Sequence, residues 1–258
     1  MNFPKLLLIT DAVLMAPAPD SALLAACLGG AKWFCVREKN APPREVLEIF
    51  ARTQRIAEKF GAKIFLNGRA DCARAAHADG LHLPENEISV ADARLTLGFH
   101  TPCGVSVHNL ENARRAELEG ANYLWFGPVF PTRSHPDALP AGLDALAEVV
   151  SGVSIPVFAV GGINASNAAQ CLEVGAAGVA VISSVWSAPD IAGAVRALRG
   201  ALGERDEPRH GTASIQGEAT EGDGKSPKQG LAALLGQSGS AQPRAASDII
   251  LGSENGSP

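Results

Sequence analysis

Two groups of residues in this 258-residue chain have the chemistry of phosphate binding. The first group combines cations with hydroxyl groups, because arginine offers phosphate a planar fork of donors and lysine offers a point charge. Its members are Arg37, Lys39, Arg69, Thr132, Arg133 and Ser134. The second group is Gly161-Gly162 with Ser183-Ser184, where backbone N–H groups and a helix start can face an anion. The sequence therefore predicts two anion sites, the first for the more highly charged group.

Two carboxylates, Glu85 and Glu87, follow the apolar segment GLHL. Mg²⁺ is usually held by one or two carboxylates together with the phosphates of a substrate. Glu85 and Glu87 are therefore candidate ligands for a Mg²⁺ ion that bridges a pyrophosphate. The alternative is that they cap the next helix, and for His82 and His108 the choice between packing and chemistry also stays open.

The elements that must position these residues are short apolar segments that alternate with longer amphipathic ones. Strands are predicted at 5–10, 33–37, 63–67, 80–83, 103–107, 123–126, 156–161 and 178–183. Helices are predicted between them, for example at 44–60, 110–120, 143–150 and 166–175. Near-continuous apolar strands that alternate with helices indicate a parallel sheet buried on both faces.

Eight such units in about 200 residues predict the α/β class and a single (β/α)₈ TIM barrel. The rival is a doubly wound open sheet, but the glycine-rich loop typical of its first strand is missing from ITDAVLMAP. In a barrel, the loops after the strands meet at one face. The two anion-binding groups, which follow strand ends, are therefore expected to converge there.

The composition changes after the barrel, which we assign to residues 1–203. Residues 204–258 are rich in Gly, Ser, Glu and Pro and contain no aromatic residue. A segment of this kind buries too little apolar area to offset its chain entropy. We therefore predict a low-complexity, disordered tail at 204–258.

Net charge and cysteine usage exclude several classes of protein. A formal net charge of −5 gives no basic field for nucleic acid. The five scattered cysteines form no CxxC pair, which favours reduced thiols over disulfides or zinc. LLLIT is too short for a signal-peptide core, and no run approaches the ~20 apolar residues of a membrane-spanning helix. We expect a cytoplasmic protein that acts on small molecules, without nucleic-acid or membrane partners, and that forms a homo-oligomer.

The chain resembles the thiamine phosphate synthase/TenI family over residues 5 to about 200. The motifs that carry the resemblance are LLITD, VREK, ADGLHL, GVSVHNLENA, GANYLWFGPVFPT, IPVFAVGGIN and GAAGVAVISS. The resemblance implies a TIM barrel that joins hydroxymethylpyrimidine pyrophosphate to thiazole phosphate with Mg²⁺ present. It assigns the pyrophosphate side to Arg37, Lys39, Asn67, Ser106, Thr132 and Ser134. It assigns the thiazole-phosphate side to Gly162, Ser183 and Ser184.

The chain departs from the synthase motifs at several positions. Cys35 replaces a Gln, Gly68 replaces a metal-binding Asp, Glu87 replaces a second Asp, and His135 replaces a Lys that meets pyrophosphate. Glu87, with Glu85 beside it, is thus the carboxylate expected to hold Mg²⁺, and His135 provides a titrating group where a fixed cation is usual.

Three functions are compatible with these motifs. The first is a synthase with a weakened metal site. The second is a TenI-like tautomerase of the thiazole phosphate; its usual histidine is replaced by Pro128, so that His108 or His135 would have to transfer the proton. The third is a non-catalytic barrel that binds a thiamine intermediate and regulates a partner.

Overall fold

The computed structural model describes residues 3–132 and 139–204. Eight parallel strands form a closed barrel in chain order, in which β8 pairs with β1. The strands are β1 (Leu6–Ile9), β2 (Trp33–Val36), β3 (Lys63–Asn67), β4 (Gly80–Leu83), β5 (Cys103–Val107), β6 (Tyr123–Phe126), β7 (Val157–Val160) and β8 (Gly178–Val181). The predicted TIM barrel is confirmed, and every strand lies within two residues of its predicted bounds. β8 ends earlier than predicted because a helix begins at Ser183.

Helices cover the outside of the barrel. They are α1 (Ala12–Met15), α2 (Pro19–Leu28), α3 (Pro43–Ala57), α4 (Ala70–Ala75), α5 (Val90–Leu97), α6 (Leu110–Leu118), α7 (Gly142–Gly152), α8 (Ala168–Glu173), α9 (Ser183–Trp186) and α10 (Ile191–Ala201). Side chains cap several of them at the N-terminus, as Asp190 does for α10 and Ser89 for α5. Within the described residues, no helix is long and apolar enough to cross a membrane.

The strands are apolar on both faces because each face packs into a different core. The outer faces and the helices form one cluster of buried side chains. The inner faces form a second cluster that fills the barrel, built around Trp33, Tyr123 and Phe158. Their rings stack edge-to-face, with centroids 5.1–6.0 Å apart. The barrel interior is therefore packed, and a ligand can enter only from an end.

The predicted disordered tail lies outside the described residues, apart from its first member. Glu204 accepts a hydrogen bond from the Lys5 backbone N–H at 2.9 Å and pairs with Arg199 at 3.1 Å. The end of α10 is thereby tied to the start of β1. All five cysteines are buried and free, as their scattered placement predicted.

Candidate active site

A cavity of about 540 Å³ opens at the carboxyl ends of the barrel strands. Most of the candidate residues line it, although they lie on different strands and loops. The predicted residues that do so are Arg37, Lys39, Asn67, Glu85, Ser106, His108, Thr132, Gly161, Gly162 and Ser183. The structure therefore brings members of both anion-binding groups to one pocket.

Arg37 and Lys39 form the cationic wall, just after β2. The Thr10 hydroxyl at the end of β1 accepts a hydrogen bond from the Arg37 backbone N–H at 3.0 Å, which fixes this loop. Burial lowers the pKa of Arg37, partly offset by Asp11, and the neighbouring Arg37 lowers the pKa of Lys39. Two cations that repel each other are stabilised when an anion binds between them. This wall is therefore suited to a pyrophosphate.

Gly161 and Gly162 form the opposite wall, after β7. Their φ angles are +95° and +68°, in the left-handed region that favours glycine. A Cβ atom at Gly161 would lie 2.6 Å from Pro128 Cβ, and one at Gly162 would lie 2.4 Å from the Pro131 carbonyl oxygen. The turn and the loop after β6 thus pack backbone against backbone, and Ser183 begins α9 beside them. Such a wall presents backbone and a hydroxyl group to a phosphate.

Ser106 lies on the pocket wall and is held from below by His82. His82 is completely buried, and its Nε2 lies 2.9 Å from Ser106 Oγ. Its ring stacks on Trp125, with centroids 3.3 Å apart, and Trp125 forms part of the pocket floor. Burial holds the pKa of His82 well below its usual range, so the ring is neutral. The sequence left open whether His82 packs or takes part in chemistry, and it did not single out Trp125, since the contact between the two depends on strand register.

His108 and Glu85 interact at the rim. The Gly127 carbonyl oxygen accepts a hydrogen bond from His108 Nδ1, and His108 Nε2 lies 3.5 Å from Glu85 Oε2. Asn112 Nδ2 donates to Glu85 Oε1 at 2.5 Å. Glu85 therefore already has two protein partners, and both ring nitrogens of His108 face protein oxygen atoms.

Glu87 lies outside the pocket lining, on the exposed side of the loop after β4. A Cβ atom placed on Gly68 would lie 4.0 Å from Glu87 Oε1, so the two positions are adjacent. No cluster of three metal-binding side chains occurs among residues 3–132 and 139–204. One carboxylate suits a Mg²⁺ ion that takes its other ligands from a pyrophosphate and water, and it does not suit an all-protein metal cage.

Five further predicted residues do not line the cavity or cannot be placed. Arg69 turns away with φ +33° and pairs with Asp71 at 2.6 Å, a contact that lowers the Asp71 pKa to about 2. The Ser184 hydroxyl is buried, with no hydrogen-bond partner among the described residues. Arg133, Ser134 and His135 lie outside the described residues.

Comparisons with known proteins agree with this geometry. Residues 6–185 match the family described as thiamine monophosphate synthase. The chain is 41% identical over 197 residues to a thiamine-phosphate synthase of Chloroflexus aurantiacus, covering 76% of this chain and 91% of the relative. It is 39% identical over 203 residues to a thiamine-phosphate synthase of Pyrococcus horikoshii, covering 77% and 96%.

A solved structure extends the likeness to three dimensions. The thiamine phosphate pyrophosphorylase from Pyrococcus furiosus superposes with a TM-score of 0.71 at 40% identity, covering 78% of this chain and 96% of that one. The family match runs from the start of β1 into α9 and so contains every described residue of the pocket. This chain therefore belongs to the thiamine monophosphate synthase family.

Proposed function

We propose that this protein is a thiamine phosphate synthase, which joins hydroxymethylpyrimidine pyrophosphate to thiazole phosphate and releases pyrophosphate. The observation that carries the proposal is the division of one cavity into two walls. Arg37 and Lys39 supply cations on one wall, and Gly161, Gly162 and Ser183 supply a glycine turn and a helix start on the other. A pocket with one cationic phosphate site and one neutral site of backbone and hydroxyl groups suits a pyrophosphate and a monophosphate.

The reaction needs little from a protein base. The bond between the pyrimidine methylene carbon and the pyrophosphate oxygen breaks heterolytically and leaves a resonance-stabilised cation on the pyrimidine. The thiazole nitrogen then donates its lone pair to that carbon, and the new C–N bond forms. Stabilisation of the leaving anion and alignment of the two substrates therefore supply most of the catalysis.

The residues of the cationic wall stabilise the leaving pyrophosphate. Arg37 can bind two phosphate oxygens in parallel, and Lys39 adds a second charge from the exposed end of the same loop. Asn67 at the end of β3 and Ser106 near the end of β5 add neutral hydrogen-bonding groups to the lining of the same pocket. These groups stabilise the negative charge that develops on the pyrophosphate as its bond to the pyrimidine methylene carbon breaks.

We further propose that Glu87 holds the Mg²⁺ ion of the reaction. When bound, Mg²⁺ would neutralise part of the pyrophosphate charge. Glu87 lies beside Gly68 on the exposed side of the loop after β4 and interacts by charge with Arg69, whereas Glu85 already binds Asn112 and faces His108. We therefore favour Glu87 over Glu85, and we expect the metal to bind weakly until pyrophosphate completes its ligand shell.

The direct test is turnover of the full chain with both phosphorylated substrates while Mg²⁺ is titrated. We expect thiamine phosphate and pyrophosphate in equal amounts, with saturation at high Mg²⁺ concentration. Arg37→Ala should lower kcat/KM by at least about 100-fold, since a charge-assisted contact of about 3 kcal/mol is lost. Arg69→Ala is the matched control, because that guanidinium pairs with Asp71. Binding of thiazole phosphate without turnover would instead support a non-catalytic role.

The tautomerase alternative needs an imidazole that can move a proton. Pro128 cannot do so, and among the described pocket residues His108 turns both nitrogens toward protein oxygen atoms. This geometry favours the synthase. His108→Ala should therefore reduce thiamine phosphate formation far less than Arg37→Ala, whereas a tautomerase that depends on His108 would lose its activity.

Location and assembly complete the proposal. We propose a cytoplasmic enzyme whose partners are its small phosphorylated substrates and other copies of itself. Fractionation of cells that produce the full chain and light scattering of the purified protein would test the location and the homo-oligomer.

A further inference from the structure

We propose that His82 is a positioning residue of this enzyme: it fixes the Ser106 hydroxyl so that its hydrogen points into the pocket as a donor. The inference rests on the proposed function, because the group that receives this hydrogen bond belongs to hydroxymethylpyrimidine pyrophosphate. His82 itself does not touch the substrate, since its side chain is completely buried.

The contacts of His82 restrict both its position and its orientation. On β4 it pairs in register with Asn67 of β3 and with Gly104 of β5. Its ring lies flat on Trp125, at an interplanar angle of 17°, and the Tyr123 ring is 5.6 Å away. Nε2 points along this stack to Ser106 Oγ, 2.9 Å distant. The imidazole is therefore held by ring packing, and among the described residues its side chain has one polar contact, with Ser106.

The lone polar contact decides which nitrogen carries the proton. His82 Nδ1 is buried and has no hydrogen-bond partner among the described residues. A neutral imidazole has one N–H group and one bare nitrogen. A buried N–H group without an acceptor is less tolerated than an acceptor without a donor. The proton therefore belongs on Nε2, which donates to Ser106 Oγ.

The tautomer in turn sets the direction of the Ser106 hydroxyl. Because Oγ accepts from His82, its own hydrogen must be donated elsewhere, and Ser106 lines the same pocket as Asn67 and Lys39. The acceptor would be a ring nitrogen or a phosphate oxygen of the pyrimidine substrate. A hydroxyl that is already oriented avoids the loss of rotational freedom on binding.

A double-mutant cycle tests this coupling through binding of hydroxymethylpyrimidine pyrophosphate, measured by calorimetry in Mg²⁺ without the thiazole. His82→Phe keeps a flat ring against Trp125 but removes the donor, and Ser106→Ala removes the hydroxyl. We expect each variant to bind about tenfold more weakly, with the double variant no weaker than Ser106→Ala alone. His82→Gln, which retains an N–H donor, should recover part of the affinity. Thiazole phosphate binding should be unchanged in all four variants.

Two results would overturn the proposal. One is that the losses in binding free energy caused by His82→Phe and Ser106→Ala add up in the double variant, while urea unfolding shows that all variants are folded. The other is a ¹⁵N NMR spectrum of the unliganded protein in which His82 carries its proton on Nδ1. Failure of the proposed function is distinguishable, because a wild-type chain that binds the pyrimidine with intact coupling but forms no thiamine phosphate would contradict the synthase assignment alone.

Discussion

Burial determines the chemistry of single side chains at the ends of these strands. Cys35, at the position of a glutamine in related motifs, is completely buried, and desolvation raises the pKa of its thiol. It therefore acts as a small apolar residue of the barrel interior. His82, equally buried, is held in its neutral form by the same effect. The residue type alone would have allowed a reactive thiol or a cationic imidazole at these positions.

His82 should make the folded protein sensitive to acid. Because burial lowers its folded-state pKa below the unfolded value near 6.5, protons bind preferentially to the unfolded chain as the pH falls below that value. The free energy of unfolding should then decrease by about 1.4 kcal/mol per pH unit from this residue alone. Its ring neighbours, Trp125 and Tyr123, carry no charge in this range. Above pH 7 both states are neutral and the contribution is constant.

The measurement is urea unfolding at pH 5 to 7.5 of the wild type and of His82→Phe. The variant should show a shallower loss of stability with acid, with the difference confined to the range below pH 6.5. Parallel curves for the two proteins would mean that His82 titrates in the folded state as it does in the unfolded chain, which would contradict a pKa lowered by burial.

Gly68 offers a gain-of-function change at the proposed metal site. Asp tolerates the left-handed backbone found there, φ +69°, better than most residues. Its carboxylate would start from a Cβ atom 4.0 Å from Glu87 Oε1. Gly68→Asp should lower the Mg²⁺ concentration for half-maximal turnover by about tenfold, equivalent to ~1.4 kcal/mol.

Gly68→Asn is the matched control, because it has the same shape without the charge. Without Mg²⁺, the Asp variant should also be less stable than the Asn variant, since two carboxylates then repel each other. Equal Mg²⁺ dependence of the two variants would indicate that the metal binds elsewhere.

At the scale of the elements, the positions of strands could be predicted from the sequence, whereas side-chain contacts between different strands could not. The strands were found within two residues because both faces are buried, so that each reads as a continuous apolar run. The pocket residues followed from the rule that strand ends meet at one face. The pairing of Glu85 with His108 and the stacking of His82 on Trp125 depend on the register between strands. Arg69 shows the converse case, since a local turn and a near neighbour, Asp71, draw it away from the pocket.

Register also explains why β5 needs a glycine opposite Tyr123. Gly104 pairs with Tyr123 of β6, and a Cβ atom there would lie 2.2 Å from Tyr123 Cζ, the ring carbon that carries the hydroxyl. Trp33 and Phe158 pack against the same ring, so it cannot move aside cheaply. Gly104→Ala should lower the free energy of unfolding by about 1–3 kcal/mol through overpacking.

Gly200→Ala is the matched control on an exposed position of α10. Among the described residues, nothing would lie within 4 Å of a Cβ atom at Gly200, and alanine is favoured over glycine in a helix by up to about 1 kcal/mol. Urea unfolding should therefore shift in opposite directions for the two variants. A neutral Gly104→Ala would mean that the barrel interior is more loosely packed than its ring contacts indicate.

For the whole molecule, the closure of the barrel is the feature on which the site depends. β8 pairs with β1, and further hydrogen bonds join the start of β1 to the end of α10. Lys5 donates from its backbone N–H to Glu204 at 2.9 Å and from Nζ to the Leu202 carbonyl oxygen at 3.1 Å. The two anion-binding walls come from the two halves of the chain. Contacts that keep the ends of the chain together therefore also keep these walls in place, although they lie away from the pocket.

These contacts between the two ends of the barrel lead to a prediction about truncation. A chain of residues 1–204 keeps every described pocket residue and both Lys5 contacts, so its kcat/KM should stay within about twofold of the full chain, a difference of ~0.4 kcal/mol. A chain of residues 1–198 loses Arg199, Leu202 and Glu204 and should unfold at lower urea concentration. Turnover and urea unfolding of the two truncated chains would check both expectations. If residues 1–204 fold as stably as the full chain but lose activity, the segment after Glu204 must contribute to catalysis, and the barrel alone would not be the enzyme.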